Sequence, residues 1–117
     1  MIYLASPYSH SEPSIREARY HAVVDFASHH LNKGKVIFSP IAYGHPFAAL
    51  KDHGTAHIDW IVFNEGMMDA ASEMWVLRLG GWEASVGIKA EMAYMEAQGK
   101  TIHMVDPLDG RVGEMLP

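Results

Sequence analysis

The sequence predicts a three-layer α/β domain of flavodoxin- or Rossmann-like form, with four to five parallel strands in the order 2-1-3-4 flanked by helices. Three observations lead there. Short apolar runs alternate with helix-forming stretches, a pattern whose stable solution is a parallel sheet joined by right-handed crossovers. Two of the runs end in turns rich in hydroxyls or glycine. The chain has 117 residues, 49% of them hydrophobic, enough for one domain with its own core.

Each element has its own signal. Ile2-Tyr3-Leu4-Ala5 is a buried strand that runs into the turn Ser6-Pro7-Tyr8-Ser9. Ser14-Ile15-Arg16-Glu17 has the form of a capping box and heads a helix that Gly34 ends, with Ile15, Ala18, Ala22 and Phe26 at helical spacing. Lys35-Val36-Ile37-Phe38 is the second strand, stopped at Ser39-Pro40 because proline has no ladder donor. Residues 40–56, with Gly44, His45-Pro46 and Gly54, read as irregular. A helix follows from His57 to Ala70, then a third strand from Met74 to Leu79 and a turn at Gly80-Gly81. A last helix starts near Ser85 and ends at Gly99, and Thr101 to Val105 is the fourth strand. Residues 1–117 thus form one domain, closing in an extended tail over 106–117.

Composition narrows the partners. Nine Lys and Arg against fourteen Asp and Glu give a net charge of −5, and a nucleic-acid polymer needs a basic stripe, so none is expected. A small nucleoside or nucleotide, held by a few placed groups, stays open. With no cysteine there is no disulfide, thiolate nucleophile or sulfur-ligated zinc. No signal peptide and no spanning run is visible, so a cytoplasmic protein without membrane contact is expected. Among the eight histidines, His53-x3-His57 has zinc-like spacing, but Gly54 weakens the helix there and no third ligand is near. No metal and no other cofactor is expected.

The chemistry concentrates at Ser85-x-Gly87-x3-Glu91. Gly87 and Glu91 are four apart and share a helix face, so the missing side chain of Gly87 leaves space above the carboxylate. In a sheet ordered 2-1-3-4 the winding reverses between the first and third strands, where ligands bind beyond the strand ends. The turns 6–9 and 80–85 would then face each other across one crevice.

On these residues the chain resembles the nucleoside 2-deoxyribosyltransferase superfamily, which includes the 2′-deoxynucleoside 5′-monophosphate N-hydrolases and small bacterial and phage relatives. The matching pieces, over residues 1–105, are Ile2-Tyr3-Leu4-Ala5, Met74-Trp75-Val76-Leu77, Ser85-Val86-Gly87-Ile88-Lys89-Ala90-Glu91 and Gly99-Lys100-Thr101-Ile102. The resemblance implies cleavage or transfer of an N-glycosidic bond, with Glu91 as nucleophile on the anomeric carbon and Tyr3 hydrogen-bonded to it. It implies a homodimer or larger homo-oligomer. Ser85 stands where the transferases proper carry an aspartate, and a serine with helix amides suits a 5′-phosphate that an aspartate would repel. Ser6, Pro7, Tyr8, Ser9, His10 and Arg19 are further candidates for sugar or phosphate contacts, as is His45 in the loop after the second strand. The superfamily places an aspartate on the helix before the third strand; Glu65 and Asp69 are the acids available here. The alternative is a protein on the same fold that binds a nucleotide or modified base without turnover.

Overall fold

The computed structural model describes residues 1–49 and 57–108. Four strands, β1 (Ile2–Ala5), β2 (Ile37–Phe38), β3 (Glu73–Leu77) and β4 (Thr101–Val105), form one parallel sheet in the order β2-β1-β3-β4. Tyr3 pairs with Phe38 on one side and Met74 on the other, and Met74 pairs in turn with Ile102. The fold class and strand order read from the sequence are those observed, with four strands among the described residues.

Among the described residues four α-helices connect the strands: α1 (Pro13–Leu31), α2 (Pro40–Gly44), α3 (His57–Ala70) and α4 (Val86–Ala97). Successive strand residues point to opposite faces, which splits the core in two. Tyr3, Ala5, Met74 and Val76 pack with Met68 of α3 and with Ile88 and Met95 of α4. On the other face Leu4 and Leu77 pack with Ala22, Val23 and Phe26 of α1, and Ile41 of α2 adjoins them. Glu91, also on α4, is thereby carried against the face that bears Tyr3.

Several boundaries differ from the sequence reading, among them the start of β2, at Ile37 rather than Lys35, and of β3, at Glu73 rather than Met74. Helix α1 starts at Pro13 rather than in a capping box at Ser14: proline sits at the first helical position, where its missing N–H costs nothing. The Glu12 carbonyl accepts from the backbone of Ile15 and Arg16, at 3.1 and 3.3 Å. Within the segment read as irregular, α2 and a 3-10 turn at His45–Ala49 follow β2. Ser39 caps α2 by accepting from Ala42 N at 3.0 Å, so Ser39-Pro40 begins a helix as well as ending a strand. Strand β3 ends at Leu77, two residues early, because Leu79 N turns back to the Leu77 carbonyl.

Residues 50–56 of the supposed loop, His53 of the zinc-like spacing, and residues 109–117 of the supposed tail lie outside the described residues. Among the described residues no helix is long and apolar enough to cross a membrane.

Candidate active site

The sheet brings together two side chains far apart in sequence. The Tyr3 hydroxyl donates a hydrogen bond to Glu91 Oε2, and both side chains are buried, Glu91 to 5% exposure. Burial pushes the Glu91 carboxyl up to about 7, while the Tyr3 bond pulls the other way by stabilising the charged form. Tyr3 itself is raised far above the ordinary phenol range, first by burial and then by the Glu91 charge, so it stays a donor. A carboxyl balanced near neutrality in an apolar setting is chemically unusual, and such groups concentrate at functional sites.

Glu91 is not sealed in. It lines a cleft of about 270 Å³ between α3 and α4, with Ile61, Glu65, Met68, Ala90, Ala93 and Tyr94. Small side chains at Ala90 and Ala93 keep the α4 side of the cleft low. Glu65 therefore shares a cavity with Glu91, whereas Asp69 is exposed and accepts from the Tyr94 hydroxyl at 2.8 Å and Gln98 Nε2 at 2.9 Å. Those two bonds hold the Asp69 carboxyl below its usual range, as an anion that braces α3 against α4.

Above the sheet, Arg19 ties the two loops that flank the winding reversal. Its side chain is buried, Nη1 donates to the Ser9 carbonyl at 3.0 Å, and Nη2 donates to the Gly80 carbonyl at 3.0 Å. Nη1 also approaches the Tyr8 carbonyl at 3.4 Å. Gly81 makes room for this clamp: its φ is +87°, and a Cβ there would stand 2.7 Å from Arg19 Nη2. The Arg19 guanidinium thus holds backbone carbonyls, which makes it a fastening between β1 and β3 loops. Burial lowers its pKa.

The remaining candidates divide by what they touch. Ser6 is buried and its Oγ has no protein partner; Pro7 beside it is fully buried. Ser85 caps α4, accepting from Ile88 N at 3.2 Å, and a hydroxyl that accepts still carries a proton to donate. Gly87 lies in the first turn that Ser85 caps. Ser9 is exposed, with its carbonyl on Arg19. His10 serves its own loop: Nδ1 accepts from Glu12 N at 3.0 Å and its carbonyl accepts from Arg16 Nη1. Tyr8 and His45 are joined, with 2.6 Å between the hydroxyl and Nδ1, and His45 Nε2 lies 2.7 Å from Glu17 Oε2. Among the described residues no group of three or more His, Cys, Asp or Glu side chains is placed to hold a metal ion.

Sequence reasoning missed two polar members of this region. Asn64 is buried on α3 with Oδ1 unpartnered, and its signal was a polar residue in the helical row between Trp60 and Met68. Glu17 was read as part of a capping box; its bond to His45, 28 positions away, carries no local signal.

A parallel α/β domain with a buried tyrosine–glutamate pair below its winding reversal defines the class of this protein. The family described as Domain of unknown function (DUF1937) matches residues 1–106, and the chain belongs to it. No curated protein matches the chain.

Proposed function

We propose that this protein cleaves or exchanges the N-glycosidic bond of a nucleoside 5′-monophosphate, in particular a deoxynucleotide, with Glu91 as nucleophile. The observation that carries the reading is the buried Glu91 carboxylate, held by the Tyr3 hydroxyl and open to the α3–α4 cleft. In the first half-reaction Glu91 Oε attacks the anomeric carbon, the C1′–N bond breaks, and its electron pair leaves with the base. In the second half, water or another base attacks the glycosyl ester and returns the pair to the carboxylate. Tyr3 orients the carboxylate and stabilises its charged form. Ser6, Ser85 and the amides at the start of α4 offer donors suited to a phosphate. No cofactor enters this scheme. The subunits are proposed to form a homodimer or larger homo-oligomer in the cytoplasm.

The test is incubation with a panel of nucleosides and nucleoside 5′-monophosphates, followed by chromatography for free base, with Glu91→Gln run beside the wild type. Base release by the wild type alone supports the reading; equal release by both removes Glu91 from it.

One observation favours the alternative, a protein that binds a nucleotide or modified base without turnover. Asp69 is committed to Tyr94 and Gln98, which leaves Glu65 as the second acid in the cleft. Under that alternative the same panel raises the melting temperature while releasing no base.

A further inference from the structure

The cleft that Glu91 shares with Glu65 is one-sided in what its wall offers a ligand. Ile61, Met68, Ala90 and Ala93 bring apolar side chains that hold no donor. Tyr94 brings a phenol, but its hydrogen already goes to Asp69 at 2.8 Å, so that oxygen has only lone pairs left. The Asp69 bond is also the first cause raising the Tyr94 hydroxyl above the ordinary phenol range, with the Glu65 charge adding to it, so the hydroxyl keeps its hydrogen. All the lining residues lie on α3 or α4, four or more positions past the first helical residue, where each backbone N–H is bonded within its helix.

Two carboxylates remain. Glu91 accepts from Tyr3 on Oε2. Glu65 is half-buried, and its carboxylate has no hydrogen-bond or ion-pair partner among the described residues. With Glu91 ionised as the nucleophile, the described lining presents acceptors and no spare donor.

Such a wall selects by the edge that a ligand turns toward it. At about 270 Å³ the cleft is just below the usual range for small-molecule sites, about 300–1,000 Å³, and suits a base with its sugar rather than a larger body. Once the anomeric carbon is at Glu91, the attached base has Glu65 as the other polar group of the same cavity. An exocyclic amino group that leaves water there regains its bond from a carboxylate, and the charge on the acceptor strengthens it. A ring carbonyl in the same place meets lone pairs alone. It gives up its water, finds no donor and is repelled.

We infer that Glu65 is a specificity-determining residue that accepts from an exocyclic amino group of the base, so the ligand is a nucleotide of an amino-bearing base rather than of its oxo counterpart. The inference rests on the N-glycosidic reading above, which places the sugar at Glu91. Cytosine carries an amino group where uracil carries a carbonyl, and adenine carries one where hypoxanthine does not. Glu65 acts by binding, and no bond is made or broken at it.

The test compares matched pairs: the 5′-monophosphates of deoxycytidine and deoxyuridine, and those of deoxyadenosine and deoxyinosine. For base release by the wild type, kcat/KM should favour the amino member of each pair. Bases also differ as leaving groups, so the deciding quantity is the change of that ratio in Glu65→Gln, in which the leaving-group difference cancels. An amide offers a donor beside its acceptor, so the ratio should fall roughly tenfold or more. Glu65→Ala, which removes the acceptor altogether, should lower the ratio likewise. Neither variant deletes a bond that holds the fold together.

A structural role for Glu65 lowers both members of a pair alike. A ratio left unmoved in both variants, while Glu91→Gln abolishes release, therefore overturns the inference and leaves the nucleophile standing. Where no nucleotide is turned over, calorimetric dissociation constants for the same pairs give the same ratio. An amino preference in binding that Glu65→Gln removes then supports the inference with the catalytic reading gone. Equal binding within each pair, or no binding at all, overturns it.

Discussion

Tyr3 donates its hydroxyl hydrogen to Glu91 across 88 positions of sequence, joining the second residue of β1 to the second turn of α4. Burial raises the Glu91 carboxyl to about 7, and the Tyr3 bond is the influence that lowers it. Tyr3→Phe keeps the ring in its core place and deletes that influence. The rising limb of kcat/KM against pH, which reports ionisation of Glu91 in the free protein, should start near 7 in the wild type and move to higher pH in the variant. An unmoved limb would mean that the bond does not tune the nucleophile.

The fold was legible in the sequence because its signals are local and agree with one another. Apolar runs of strand length, Gly34 and Gly99 after helices, and Ser85 before one each mark an element without reference to the rest. The pairing of Tyr3 with Glu91 was legible only through the resemblance, since nothing in a strand tyrosine or a helix glutamate announces a partner far along the chain. Arg19 shows the limit most clearly. A buried arginine near a hydroxyl-rich turn suggests an anion, yet its donors meet the carbonyls of Ser9 and Gly80, groups that every residue carries and no pattern distinguishes. Helix α2 was hidden for another reason: Ser39-Pro40 stops a strand and starts a helix with the same two residues.

A buried carboxyl also leaves a mark on stability. The folded pKa of Glu91, about 7, lies above the unfolded value of 4.5. Its contribution is therefore fully present below 4.5 and is lost as pH rises through 7. The loss above that range is on the order of 3 kcal/mol. Glu91→Gln, which cannot ionise and can still accept from Tyr3, should be more stable than wild type above neutrality, with the gap closing toward acid. Urea denaturation on both sides of that range measures it; a gap that does not depend on pH would contradict the assigned shift.

The loop clamp makes a separate prediction. Gly81→Ala places a side chain on a backbone with φ of +87° and drives it against Arg19 Nη2. The strained backbone alone costs about 1–3 kcal/mol. Displacement of the guanidinium should then loosen both loops of the crevice. Thermal denaturation should show the loss, and base release should fall more than the residual folded fraction explains.

Ser85→Asp separates capping from ligand recognition. Aspartate is as good an N-cap as serine, so α4 and the stability should be kept. A carboxylate at that place would repel a phosphate dianion. KM for the nucleoside 5′-monophosphate should rise at least tenfold, about 1.4 kcal/mol, while the unphosphorylated nucleoside is unaffected or improved. Equal effects on both ligands would remove the phosphate from the start of α4.

The most direct measurement is peptide mass mapping of wild-type protein quenched during turnover of a deoxynucleoside 5′-monophosphate. The account predicts a pentose-phosphate adduct on the peptide that contains Glu91, absent from Glu91→Gln. Free base accumulating with the adduct on another residue, or in undiminished amount from Glu91→Gln, would contradict it.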